Sequence, residues 1–159
     1  MPGQPNKNWP RWIFASVSKH FEAKRDGIYI FVEGQIRDTK ELDSWIEIRV
    51  DGPYTQQHGS NDFRLNIEIN VLCVAKCDDK DFHRIHRITG IVGAAFTSEI
   101  FIFKNGDTVE DDQSLIGCLV RRDDKKEAIV TSNFGLIDPD VPIMQATVEG
   151  HYTAHLAGE

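Results

Sequence analysis

FRLNIEINVLCVA, Phe63 to Ala75, alternates apolar and polar residues along its length. Phe63, Leu65, Ile67, Ile69, Val71, Cys73 and Ala75 fall on one face of an extended chain, and Arg64, Asn66, Glu68 and Asn70 fall on the other. A period of two marks a strand with one buried face. At about 3.3 Å per residue the run spans roughly 40 Å, whereas an ordinary strand has about five or six residues. Upstream, WIEIRV (Trp45 to Val50) repeats the alternation, with Ile46, Ile48 and Val50 opposed to Glu47 and Arg49. The two segments are expected to pair as an antiparallel hairpin. Between them DGPYTQQHGSND, Asp51 to Asp62, reads as a long polar loop, and the hairpin tip is expected to project past the core. Loops of that length in compact domains are usually functional or disordered.

Helical patterns flank the hairpin. From Pro10 to about Lys24, Ile13, Val17 and Phe21 recur every four residues beside Trp12, Ala15 and Ser16. Asn8 is placed to cap this helix, Pro10 suits its first turn, and Asp26-Gly27 ends it. A second helix is predicted from Asp81 to Phe96 through Phe82, Ile85, Ile88, Val92 and Ala95, with Asp78 or Asp79 near its start. IYIFVEG (Ile28 to Gly34), EIFIFK (Glu99 to Lys104), LIGCLV (Leu115 to Val120), AIVTSNF (Ala128 to Phe134) and IMQATVEGHYTAHL (Ile143 to Leu156) read as strands. The order predicts an α+β fold, a mostly antiparallel sheet with both helices on one face. Residues 10–159 form its single domain, after a flexible segment over 1–9.

A formal net charge of −7 argues against a general nucleic-acid binder, which needs a basic surface to neutralise phosphates. No apolar run approaches the roughly 20 residues of a membrane span, and MPGQPNKNWP lacks a signal-peptide core, so a cytosolic chain is expected. Cys73, Cys77 and Cys118 are an odd number and are expected to be free thiols.

Several groupings invite chemical readings. Cys73, Cys77, His83 and His86 form C-x3-C-x5-H-x2-H, but zinc fingers separate their ligand pairs by more, and Cys73 lies on the apolar side of its strand. No metal or other cofactor is expected, although zinc remains a third reading. Asp107, Glu110, Asp111 and Asp112 lack the spacing of a Ca²⁺ loop. Arg121, Arg122, Lys125 and Lys126 alternate with Asp123, Asp124 and Glu127 as in a solvated turn. His151 and His155 share a strand face, but no nucleophile or carboxylate at motif spacing completes an acid–base set. No catalytic residues are expected, and the chain is not read as an enzyme.

The polar side of the hairpin is more informative. Arg49 and Glu47 would lie across from Arg64, Asn66, Glu68 and Asn70, either as a solvated ladder or as a surface that meets another subunit. Asp51, Tyr54, Gln56, Gln57, His58 and Asn61 add adaptable hydrogen bonding around one aromatic anchor. The candidate partner-binding set is therefore Arg49, Asp51, Tyr54, Gln56, Gln57, His58, Asn61, Arg64 and Glu68.

Taken together, RWIFASVSKHF, IYIFVEG, SWIEIRVDGP, FRLNIEINVLCVAK, DFHRIHRITGIVGAAF and QATVEGHYTAHL make the chain resemble the tail-terminator and tail-completion proteins of tailed bacteriophages. The resemblance covers most of the chain through element order and length, without an invariant motif. It implies a virion protein of the tail or neck, made in the host cytoplasm. It also implies a ring, expected to be a homohexamer, that caps the tail tube protein and joins it to the head–neck connector. DNA would pass through its channel without specific binding, and no membrane is involved. The short strands between Glu99 and Phe134 make the chain long for that family. The alternative is a cone-shaped α+β domain resembling nuclear transport factor 2, with Tyr29, Trp45, His151 and His155 around a pocket for an apolar molecule.

Overall fold

A computed structural model describes residues 3–36, 38–77, 83–107, 113–124, 128–138 and 141–159. The chain is α+β: helix α1 (Trp9–Ala23), strands β1 (Tyr29–Val32), β2 (Ser44–Gln57) and β3 (Asp62–Lys76), helix α2 (Arg84–Ala95), then β4 (Glu99–Phe103), β5 (Leu115–Arg121), β6 (Ile129–Asp138) and β7 (Val141–Ala157). The predicted start of the second helix, with Asp78, Asp79, Asp81 and Phe82, lies outside the described residues.

The sheet runs β1-β2-β3-β7-β5-β4, with β6 also paired to β7. All described pairings are antiparallel except β1 with β2, which are parallel. The connection over 33–43 makes that exception possible by bringing Leu42 against Phe31, Trp45 and Val74.

Alternation in β3 becomes burial. Phe63, Leu65, Ile67, Ile69, Val71, Cys73 and Ala75 join one core with Ile13, Val17 and Phe21 of α1 and Ile85, Ile88 and Val92 of α2. Both helices therefore cover a single face, called inner below. Gly150 shows how tightly that face is filled. A Cβ there would come within 2.6 Å of the Phe96 ring, which packs edge-on to Phe21.

Asn8 does not cap α1 with its side chain. Asn6 Oδ1 accepts the Asn8 N–H at 2.8 Å, in a turn ahead of the helix. The helix exit follows its expected chemistry, with Asp26 and Gly27 both at positive φ, 49° and 80°.

The long loop is corrected. β2 continues to Gln57, opposite Phe63, so only residues 58–61 lie outside the paired strands. β1 ends opposite Ile48, which leaves β2 an edge strand beyond that point. Pro53 is tolerated at such an edge because no ladder hydrogen bond is lost. Gly52, at φ 104°, supplies the left-handed residue of a register shift between Asp51 and Tyr54. A run of polar residues was thus read as a loop because both of its sides face solvent.

The projecting tip is also corrected. β3 pairs with β7 over its whole length, from Asp62 opposite Ala157 to Lys76 opposite Ile143. Both chain ends close over the turn. Gly3 N–H donates to Ser60 O at 2.5 Å and Gly158 N–H donates to Asn61 O at 3.1 Å.

A candidate partner-binding face

The outer face of the sheet has two different ends. At one end Phe31, Trp45 and Val74 are buried together, with Leu42, Leu72 and Ile143 packed against them. The middle is a polar band. The buried Glu47 carboxylate accepts from Arg49 at 3.4 Å, and Asn70 Nδ2 donates to Glu149 Oε1 at 2.9 Å. Toward the turn no helix among the described residues covers the face.

On this bare end the register aligns Asp51 with Glu68, Tyr54 with Asn66, and Gln56 with Arg64. On its other side β3 aligns Glu68 with His151, Asn66 with Thr153, and Arg64 with His155. Thr153 Oγ1 donates to Asn66 Oδ1 at 2.9 Å and fixes the centre. Tyr54 is 60% exposed, and its hydroxyl donates to Asp51 Oδ2 at 3.0 Å. That bond, with the Asp51 charge, holds the phenol above its ordinary pKa.

Of the sequence-predicted residues, Arg49, Asp51, Tyr54, Gln56, Arg64 and Glu68 share this face. Gln57 lies across from the buried Phe63 and so belongs to the other side, its amide donating to Gly59 O at 2.9 Å. His58 is in the turn, its ring 5.8 Å from that of His155. Asn61 is in the turn as well, its carbonyl engaged by Gly158. The face also takes in Glu149, His151, Thr153 and His155 of β7 and Val120 of β5, which the prediction left out. Period-two spacing in EGHYTAH was the available signal for the β7 residues. Nothing local announced that β5 would dock beside them.

Where β3, β7 and β5 meet, an open groove of about 630 Å³ is lined by Arg64, Cys118, Val120, Arg122, Thr153 and His155, among others. Arg121, at the end of β5, donates to Asp123 Oδ1 at 2.6 Å and to Phe96 O at 2.7 Å, so it is not part of a solvated turn, while Arg122 beyond it pairs with Asp124 at 3.3 Å. Arg121 holds the Asp123 carboxyl below its usual range. Lys125, Lys126 and Glu127 lie outside the described residues. Arg64 differs from its neighbours: its Nε is shielded from solvent and meets no acceptor among the described residues.

Among the described residues the other candidate chemistries do not assemble. Cys73 is fully buried, and burial pushes its thiol up to about 12, while His83 and His86 are exposed. Among the described residues no three His, Cys, Asp or Glu side chains gather as metal ligands. Asp107 pairs with Arg11 at 3.6 Å, and Glu110, Asp111 and Asp112 lie outside the described residues. Ser16 and His20 border a cavity of about 380 Å³ between α1 and β4, but both are engaged. Ser16 Oγ accepts the Phe103 N–H at 3.0 Å, and His20 Nε2 lies 2.9 Å from Ala95 O. Burial lowers the His20 pKa. Trp45 aligns with Val74 at the covered end, whereas His151 and His155 align with Glu68 and Arg64 at the bare end. Tyr29, Trp45, His151 and His155 therefore do not surround one pocket.

No described helix is long and apolar enough to cross a membrane. No family model matches the sequence, and no curated protein is significantly similar to it.

Proposed function

We propose that the chain is a structural component of a phage tail, a terminator or neck protein that forms a ring, expected to be six copies, capping the tail tube below the head. The observation that carries this reading is the bare end of the outer face. Long, mutually paired strands present half-buried polar side chains and one exposed tyrosine there, with no covering element among the described residues. A rigid sheet of this kind costs little ordering entropy on association, and a single aromatic anchor in a polar surround suits a protein interface. Element order supports the same reading, with a helix before the hairpin and a second helix after it on one side of the sheet. The formal charge of −7 fits a channel wall that repels passing DNA.

The test is native mass spectrometry of the purified chain, alone and mixed with tail tubes, followed by electron microscopy of the tubes. Six-copy rings seated on tube ends are expected. A chain that neither oligomerises nor binds tubes contradicts the proposal.

A further inference from the structure

Two features of the bare end are electrostatically incomplete, and they are opposite in sign. The first is Arg64 at the groove. Among the described residues its Nε has no acceptor and its guanidinium makes no ion pair, whereas Arg121 and Arg122 each hold an aspartate. The Arg64 side chain borders the groove, where a charge-assisted bond to an arriving carboxylate is favoured. The second lies across β2 and β3, where Asp51 and Glu68 are direct cross-strand partners. Like charges so placed repel, and neither forms an ion pair among the described residues. Beside them the exposed Tyr54 ring stands as a knob tied to Asp51 by its hydroxyl.

We infer that these are the two halves of one contact: the Asp51–Tyr54 knob of one copy seats in the Arg64 groove of a second copy. The Asp51 carboxylate reaches the Arg64 guanidinium, and the Tyr54 ring lies against Val120, itself 50% exposed. A groove of about 630 Å³ is in the range that holds a compact ligand group. Asp123 and Asp124 do not cancel its charge, because Arg121 and Arg122 hold them. A second copy is the occupant that the charges select. A free phosphate would satisfy Arg64 and leave the Asp51–Glu68 pair unmatched, whereas a second copy answers both. Knob and groove are different patches of one face, and it is the head-to-tail repeat of such a contact, not its two-fold reciprocal form, that closes a ring. The inference builds on the ring reading above and names the surfaces between its subunits.

Charge reversal tests it, with self-association followed by native mass spectrometry and sedimentation up to about 100 µM. Asp51→Arg and Arg64→Glu are each expected to weaken assembly at least tenfold, roughly the effect of breaking a desolvated charge pair. The double variant carrying both is expected to regain most of the loss. Arg64→Gln, checked for an unchanged thermal melt, separates loss of charge from loss of folding and is expected to weaken assembly as well. Wild-type assembly in D51R and in folded R64Q overturns the contact while leaving a ring built on other surfaces. A wild-type chain that stays monomeric throughout also overturns it, and binding to tail tubes then decides the tail reading separately.

Discussion

Trp45 and Tyr54 lie on the same strand and the same face of the sheet, yet Trp45 is 7% exposed and Tyr54 is 60% exposed. The difference comes from the chain around them. At Trp45 the chain supplies its own apolar cover, with Phe31 and Val74 in the same buried cluster and Leu42, Leu72 and Ile143 packed against it. At Tyr54 no covering element arrives among the described residues, and the neighbouring positions are Asn66, Thr153, Asp51 and Arg64. A sheet face that the protein covers itself is built apolar, while a face left for water or a partner is built polar with a few anchors.

The sharpest way to break that contrast is to truncate each aromatic. Trp45→Ala is expected to cost about 3–5 kcal/mol, measured by urea unfolding, because it empties an enclosed site. Trp45→Phe is expected to cost much less than the alanine variant, since the indole Nε1 already lacks a partner and little hydrogen bonding is lost. Were Trp45→Ala mild, the covered end would not be a core.

The middle of the bare end is sharpened by a double-mutant cycle. Asn66→Ala and Thr153→Val, alone and together, are expected to reveal a coupling of about 1 kcal/mol from their hydrogen bond. Zero coupling would mean that the centre of the face is not held in place.

The inner layer supplies a control in which the outer face has no part. His20 has a folded-state pKa below its ordinary 6.5 because burial disfavours the cation. The unfolded chain then binds more protons, so this contribution is full above pH 6.5 and is lost as the pH falls through the lower folded value. Thermal melts of the wild type and of His20→Gln from pH 8 to pH 5 are expected to show a smaller acid-side loss in the variant. An unchanged slope would remove His20 from the balance.

The smallest effect is expected at the knob. Tyr54→Ala should leave stability within about 0.5 kcal/mol, since an exposed ring tied to one aspartate contributes little to folding. A large loss there would show that Tyr54 serves this fold and not a partner.

Much of the architecture was legible in the residues. The period of two in Phe63–Ala75 and the four-residue recurrence of Ile13, Val17 and Phe21 are direct prints of burial on one side. Two things were not legible. From Asp51 to Gln57 both faces of β2 meet solvent, so alternation vanished and Gly52-Pro53 looked like a break. The pairing of β3 with β7 joins residues far apart in the chain, and that pairing is what turns an apparent arm into a central strand. The candidate face was half legible for the same reason. Its β2 and β3 residues could be read from one hairpin, whereas the β7 and β5 residues arrive only through tertiary pairing.

The central claim is that the bare end is covered by protein in the assembled state and the covered end is unchanged. Hydroxyl-radical footprinting of the oligomer against the dissociated chain tests it most directly. Strong protection of Tyr54 and His155, with Tyr29 and Phe134 reacting equally in both states, is the predicted result. Full reactivity of Tyr54 and His155 in an oligomer whose protection falls on Tyr29 or Phe134 would contradict the account.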